Sequence, residues 1–494
     1  MSSLTLETIN TVNPTYAEML ALLNLQRNSH RKEGPPSAKV RRNRLDRLKL
    51  AVLESAQELA TAAANDFGQR PHAFTMSTEI LGAFADFEEI RSELEEWMKP
   101  VPLNDQGTAA IQQHPLGVVG IIGAWNFPIN LVIQPAVAAL AAGNRVIIKM
   151  PSASAHTAEV LRGALAEKFS ADEISLITGG TQVSEDFSRL PFDHILFTGS
   201  PRVGSIIQAA AAANLVPVTL ELGGKNPMVI DASADLANAA DQVVVSKMAN
   251  GGQICLCGDY VLLDSSVKEK FIDLLKERLT HHFPPASIPA MISLIDDSAY
   301  ARITAHIEDA VSKGASAYMA FEGAAVDLPD PRRRLIAPTL LLDVPEDASI
   351  NEDEIFGPVL PIYTYDTRAE AIEFIASRPS PLAAYWYGDD DAAFERFCAL
   401  TTSGGVTRNG GFLHAGIPGA PFGGVGRSGH GAYHGKAGFD TFTHRRPVVS
   451  AGAGGSSMGQ FVGLSLISTQ LRDGLAQAIE SEHQRTRERL TSES

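Results

Sequence analysis

The spacing of apolar positions changes near residue 116. From residue 36 to 100 they recur at helical intervals among many charges, as in "SAKVRRNRLDRLKLAVLESAQELATAAANDF". Leu45, Leu48 and Val52 supply the buried stripe there, and the basic cluster Arg41, Arg42 and Arg44 is expected on a solvated face. Beyond residue 116 the runs turn short, apolar and β-branched. "GVVGII" reads as a buried strand, "LVIQPAVAALAAG" as a helix and "RVIIKM" as a strand. "AEVLRGALAEKF" is helical, "EISLIT" a strand, and "HILFTG" a strand leading into the helix "VGSIIQAAAAA"; "VPVTLEL" is a further strand. The alternation resumes with "YVLLD", "KEKFIDLLKERL", "PVLPIYTY" and "LAAYWY". Strands alternating with helices at this spacing predict βαβ units and a mostly parallel sheet, with a second α/β unit behind the first. No fixed-period repeat is present, which argues against a solenoid.

Composition sharpens this picture. A chain of 494 residues exceeds one ordinary core and points to two or three packed units. A formal charge of -16 repels phosphate backbones, which argues against a nucleic-acid partner. Three cysteines cannot build a disulfide framework and point to a reducing, cytoplasmic setting. The start, "MSSLTLETINTVNP", lacks a basic head followed by an apolar run, so no secretory signal is expected. After Arg446 comes the uncharged stretch "PVVSAGAGGSSMGQFVGLSLISTQL". It is Gly/Ser-rich in its first half and too weakly apolar for a membrane span, so a linker is expected to run into an exposed amphipathic helix over "LRDGLAQAIESEHQRTRERL". No HExxH and no Cys/His cluster announces a metal.

Ligands of open α/β sheets gather where strands end and helices begin. "FTGSPRVG" is such a place, with Gly199 and Gly204 at the turn. A tight connection needs the same glycines; the functional alternative is a helix start near Arg202 that offers backbone N–H groups to a pyrophosphate. Glu221 ends the strand in "VTLELGGKNP", where it could pair with Lys225 or act as a general base. Asn126, in "GAWNFPIN", is either a turn residue or an amide donor aimed at an anion. Cys255 and Cys257 stand one residue apart in "NGGQICLCGDY", too close for the gap of redox or zinc pairs. On an extended segment both would point the same way, so the pair alone does not single out a nucleophile.

Taken in order, "WNFP", "FTGS…VG", "ELGGK", "GQIC", "EIFGPVLP" and "PFGGVGRSG" resemble the aldehyde dehydrogenase superfamily, over residues 36 to 449. "DYVLL", "SGGVT" and "YHGKAGF" resemble its class 3 branch, and "RRNRLDRLKLAV" with "NDFGQRPHAFTMSTEI" the coniferyl aldehyde dehydrogenase group. The resemblance implies an α/β fold with a Rossmann-like cofactor domain (1–100 and 117–223), a catalytic domain (224–408) and a small β oligomerisation extension (101–116 and 436–449). Residues 450–494 would follow as linker and C-terminal helix. It implies Cys255, after Gly-Gln-x, as nucleophile, with Asn126 and the Cys255 backbone N–H receiving the oxyanion and Glu221 as hydrolytic base. It implies NAD or NADP held by Trp125, Lys149, Ser152, Gly199, Ser200, Gly204, Glu354 and Phe356, and Asn409 supporting the active-site loop. Ser152 departs from the pattern: it stands where relatives place a Glu that repels a 2′-phosphate, so NADP is less excluded. The implied substrate is an aromatic or medium-chain aliphatic aldehyde, the implied assembly a homodimer, with no membrane partner. Two other readings are a cofactor-independent thiol hydrolase pairing Cys255 with His194 or His434, and a non-catalytic structural member. The second could have lost Cys255, Glu221 or Asn126, and all three are present.

Overall fold

The computed structural model describes residues 11–321, 327–450 and 469–492. These fall into two compact units, one drawn from 11–98 and 114–444, the other from 99–113 and from 445 onward. Their strands form three sheets.

The first sheet of the larger unit runs, in spatial order, Gly429–His430, Val218–Leu222, His194–Gly199, Val118–Ile122, Arg145–Lys149, Ile174–Ile177. Neighbours are parallel except at the edge, where Gly429–His430 lies antiparallel to Val218–Leu222. Both faces are covered, which is why these strands read as unbroken apolar runs. Alternate side chains feed two different cores. Val119, Ile121, Val146 and Ile148 pack with Leu45, Leu48, Val52 and the helix Asn130–Ala141, whereas Val118, Ile122 and Ile147 pack with Met19, Leu22 and Phe187.

The second sheet runs Ser316–Met319, Thr339–Leu342, Val359–Tyr365, Tyr260–Asp264, Pro227–Ile230, Ala383–Tyr387, Gly405–Arg408. It is parallel except for its first pair. Met228 and Ile230 face the helices Leu236–Met248 and Lys268–His282, while Val229 faces Arg368–Ala376 and Asp391–Leu400. The two sheets are joined covalently by residues 223–226, a link of four residues.

In the smaller unit Val101–Pro102 pairs antiparallel with Ala109–Pro115, which is followed across the sheet by Thr443–Val449. The expected C-terminal helix is present as Thr469–Ser492, exposed from residue 473. The Gly/Ser-rich stretch from 451 to 468 and the first ten residues lie outside the described residues. Among the described residues no helix is long and apolar enough to cross a membrane, and no three His, Cys, Asp or Glu side chains gather as a metal site.

The basic cluster on the second helix needs a correction. Arg41 and Arg44 are buried rather than solvated. Arg41 donates through Nη1 to the Ala141 carbonyl and through Nε to the Pro36 carbonyl, both at 2.9 Å, and so caps the end of the central helix Asn130–Ala141. Arg44 lies 3.0 Å from the Glu173 carboxylate. Buried guanidinium groups are tolerated where carbonyls and carboxylates saturate them, and helical periodicity cannot reveal such partners a hundred residues away.

Candidate active site

The site begins where the helix Leu236–Met248 ends. Asn250, Gly251 and Gly252 all take positive φ (51°, 64° and 75°), which reverses the chain. A side chain on Gly252 would overlap the Gly357 carbonyl, so only glycine fits there. Gln253 follows, fully buried. Its Nε2 donates to the carbonyls of Asn250 (3.0 Å) and Ser293 (3.1 Å), and its Oε1 accepts from Ile295 N at 3.1 Å. Next comes a tight turn closed by Cys257 N donating to the Ile254 carbonyl at 2.9 Å, with Cys255 at its crest.

This turn separates the two cysteines, which an extended segment would have kept on one side. Cys255 is half-buried and lines a cavity of about 210 Å³. Cys257 is buried, and its thiol donates to the Ser246 carbonyl at 3.2 Å, back toward the preceding helix. Burial pushes the Cys257 thiol up to about 12. Burial also raises the Cys255 thiol, with the Glu354 and Glu221 carboxylates adding to the rise. Both thiols are therefore held as neutral S–H groups.

Glu221 lines the same cavity from the Val218–Leu222 strand. It is buried, neither carboxylate oxygen has a hydrogen-bond partner, and burial lifts its pKa well above the usual carboxylate range. Thr198, its register partner on the neighbouring strand, also lines the cavity with an unpartnered hydroxyl. Asn126 is buried in the link between Val118–Ile122 and Asn130–Ala141. Its Nδ2 donates to the Gln253 carbonyl at 3.1 Å, two residues before Cys255, and its own carbonyl accepts from Asn250 Nδ2 at 3.3 Å. One amide hydrogen of Asn126 is thus committed to the segment leading into Cys255, and the other makes no hydrogen bond among the described residues.

The rest of the cavity wall is mostly apolar: Phe127, Leu131, Ile254, Leu382, Phe422 and Tyr433 are among its residues. Polar atoms enter it from Thr78, Asn130, Gln134 and His434. His434 stacks on Phe422 at 4.9 Å between ring centres, and burial lowers it to about 4, so it is neutral.

Trp125 and Phe356, which do not line the cavity, meet edge to face at 5.4 Å, Phe356 with a positive φ of 49°. Glu354 is pushed up to about 8, chiefly by burial. Its carboxylate occupies the space a side chain on Gly223 would fill. Ser200 caps the helix Pro201–Ala212, its hydroxyl accepting from Val203 N at 3.4 Å. Gly204 lies against Leu222 where a Cβ would crowd that side chain, so the close helix–sheet packing explains this glycine as well as a ligand would.

Other expected residues stand apart from the thiol. Lys149 ends its strand with Nζ donating to the carbonyls of Met150 (2.6 Å) and Gly179 (2.9 Å), and burial lowers it to about 8. Ser152 is exposed, the first residue of a short 3-10 turn leading into the helix Ala155–Lys168. Asn409 (φ 54°) accepts from Gly388 N at 2.9 Å and donates to Asp389, so it fastens the loop after Ala383–Tyr387 and does not line the cavity. His194 hydrogen-bonds Thr219 Oγ1 at 2.9 Å and also lies outside the cavity. No hydrogen bond joins Cys255 to His194 or His434 among the described residues. Thr198, Gln134, Phe422 and Tyr433 were not singled out from sequence. For Thr198 a signal existed, since alternation along "HILFTG" puts it on one face of the sheet with its neighbour's Glu221.

Comparison with known proteins agrees with this geometry. A family model described as "Aldehyde dehydrogenase family" matches residues 29–448. A protein of Caulobacter vibrioides named "Probable coniferyl aldehyde dehydrogenase" is 39% identical over 441 residues, 87% of this chain and 91% of that one. A Rattus norvegicus protein named "Aldehyde dehydrogenase, dimeric NADP-preferring" is 36% identical, covering 84% and 90%. The solved structure titled "Substrate bound state of Staphylococcus Aureus AldH" superimposes with a TM-score of 0.83 at 32% identity, over 91% of this chain and 99% of that one.

Proposed function

The chain belongs to the aldehyde dehydrogenase family, and we propose that it oxidises a phenylpropanoid-type aromatic aldehyde, such as coniferaldehyde, to its carboxylic acid, with Cys255 as nucleophile. The carrying observation is that Cys255 and an unpartnered Glu221 line one cavity. An aldehyde hydrogen does not leave as hydride until the carbonyl carbon has been made tetrahedral. The Cys255 thiol, neutral at rest, gives its proton to solvent water, the thiolate so formed makes that C–S bond, and the carbonyl oxygen becomes an oxyanion that the Asn126 side-chain amide and the Cys255 backbone N–H would receive. NAD(P), the cofactor of this family, supplies the hydride acceptor when bound. What remains on Cys255 is a thioester. Glu221 takes a proton from water as that water attacks the acyl carbon, the C–S bond breaks, and acid and thiol are released. Burial favours the neutral acid form of Glu221, so this step gains as pH rises.

The residues present fit a dinucleotide. The N-terminus of Pro201–Ala212 offers backbone N–H groups beside side-chain-free Gly199. Glu354, over Gly223, is an acceptor for ribose hydroxyls, and the edge-to-face Trp125–Phe356 pair supplies apolar surface. Lys149 and Ser152 would meet the adenosine ribose. With serine rather than a carboxylate at 152 and a cation at 149, NADP is accepted alongside NAD.

For the substrate, an apolar cavity of about 150 Å³ holds a benzene ring, so the 210 Å³ beside Cys255 accommodates one ring with a short side arm. Phe127, Phe422 and Tyr433 offer it edge and face contacts. The similar Caulobacter and rat proteins, by their names, extend the same reading to coniferyl aldehyde and to a dimer. The strand Thr443–Val449, mostly exposed and at the sheet edge, would be the pairing surface of that dimer. A hydrolase reading gains nothing from the geometry, since His194 is engaged elsewhere and His434 makes no bond to Cys255. The test is stopped-flow NAD(P)H formation with coniferaldehyde, benzaldehyde and hexanal. Coniferaldehyde is expected to give the highest kcat/KM; hexanal exceeding it tenfold would overturn the substrate assignment.

A further inference from the structure

Lys225 and Asn226 are consecutive residues in the short link that carries the chain from the first sheet to the second. Asn226 is fully buried, and each of its side-chain polar atoms is engaged. Nδ2 donates to the Cys255 carbonyl (2.7 Å) and the Cys257 carbonyl (2.8 Å), and Oδ1 accepts from Ala383 N at 2.9 Å. Its backbone carbonyl accepts from Asp259 N at 2.7 Å. One carboxamide thus grips the nucleophile's turn at both ends and ties it to the neighbouring strand.

Lys225 points the other way. Its Nζ lies 2.5 Å from Asp259 Oδ2 and donates to the carbonyls of Ile350 and Asp353, each at 3.0 Å. Asp259 completes the arrangement by accepting from Ile355 N through Oδ1 at 2.8 Å. The segment so held runs directly through Glu354 to Phe356. Neither Lys225, Asn226 nor Asp259 lines the reaction cavity.

We propose that Lys225, Asn226 and Asp259 are positioning residues that lock the Cys255 turn and the 350–356 segment to one another, so that thiol and cofactor-facing groups keep a fixed separation. The proposal rests on the reading of Cys255 as nucleophile and of Glu354 and Phe356 as cofactor contacts. The physical ground is that a turn peptide is free to rotate unless its carbonyls are held, and here the amide donors holding them are buried and their geometry is saturated. The division of labour is specific. Asn226 governs the thiol, Lys225 and the Asp259 carboxylate govern the 350–356 segment, and the Asp259 backbone N–H, bonded to the Asn226 carbonyl, ties the two arms together.

The experiment reads three quantities in the full-length enzyme: the pH midpoint of Cys255 alkylation by iodoacetamide without cofactor, the NADPH dissociation constant by fluorescence, and the NAD(P)H burst rate. Asn226→Ser, which leaves one short donor for two carbonyls, is expected to lower the alkylation midpoint toward that of an ordinary thiol and to slow the burst by about tenfold, with NADPH affinity unchanged. Lys225→Met and Asp259→Asn are each expected to weaken NADPH binding by about tenfold and leave the alkylation midpoint in place. If Asn226→Ser weakens NADPH as much as it slows the burst, or only lowers the melting temperature, the residues stabilise the fold and nothing more. Asn226→Gln for the thiol arm and Lys225→Arg for the 350–356 arm provide the same separation should the first two variants not accumulate. Retention of the burst in Cys255→Ser would bring down the underlying reading instead, whereas an unaltered Asn226→Ser in an enzyme silenced by Cys255→Ser would bring down the clamp alone.

Discussion

The two sides of Cys255 are built differently. On the side proposed for the cofactor, the candidate groups sit on short contiguous segments whose backbone geometry is imposed: the left-handed Asn250–Gly252 reversal that leads to the thiol, the side-chain-free Gly223 under Glu354, and the capped start of Pro201–Ala212. On the aldehyde side the wall is assembled from side chains far apart in sequence, from Thr78 and Phe127 to Leu382, Phe422 and Tyr433. Chemistry common to all aldehydes needs fixed donors and a fixed thiol, and rigid turns supply them. Recognition of one aldehyde needs only shape and apolar area, which scattered side chains can supply and exchange.

The largest expected effect separates the two cysteines. Cys255→Ser should lower kcat by about 10⁴-fold or more, as removal of a nucleophile does. Cys257→Ser keeps the turn and its hydrogen bond to Ser246 and should retain most activity; a dead Cys257→Ser with a live Cys255→Ser would reverse the assignment. Glu221→Gln comes next. It should keep the first-turnover burst and slow steady-state turnover by about 10²–10³-fold. The same variant has a stability signature with a definite sign. Because the folded pKa of Glu221 lies above the unfolded one near 4.3, proton binding favours the native state. The stabilising contribution is complete below that pH and is lost as pH rises toward the folded value. The melting temperature of Glu221→Gln should therefore exceed that of the parent by a margin that widens from pH 5 to pH 8, and a margin that shrinks would contradict the burial of an unpaired carboxyl.

Smaller effects test the aldehyde side. Leu131→Trp narrows the cavity from the Asn130–Ala141 helix. It should lower kcat/KM for coniferaldehyde by about tenfold or more while acetaldehyde is nearly unaffected; equal losses would mean that the mutation disturbs the thiol rather than the wall. The smallest effect belongs to Ser152→Glu at the exposed turn, where a new carboxylate meets the 2′-phosphate of NADP across solvent. KM for NADP should rise several-fold, with NAD unchanged, and equal loss with both cofactors would remove Ser152 from the specificity argument.

The same contrast explains what could be read from the chain. The parallel sheets were legible because strands buried on both faces must be apolar throughout, and "GVVGII", "RVIIKM" and "YVLLD" are. Gly252 was legible as part of an ordered motif although the reason for it, the Gly357 carbonyl pressed against it, is visible only in three dimensions. The edge strand Gly429–His430 is two residues long, and no periodicity exists over two residues. The burial of Arg41 and Arg44 depends on carbonyls and carboxylates brought in by folding, as does the clamp at Asn226. The resemblance picked out Cys255, but the different surroundings of the two cysteines were hidden for the same reason. They depend on a tight turn, which composition alone did not distinguish from an extended segment.

The central claim, that Cys255 carries the acyl group, is tested most directly by trapping it. Glu221→Gln enzyme should be mixed with coniferaldehyde and NAD, quenched in acid within the burst and digested for mass spectrometry. The account predicts the acyl mass on the peptide containing Cys255 and Cys257, with fragment ions assigning it to Cys255. An acyl group on Cys257, or a full burst with no acylated cysteine, would contradict it.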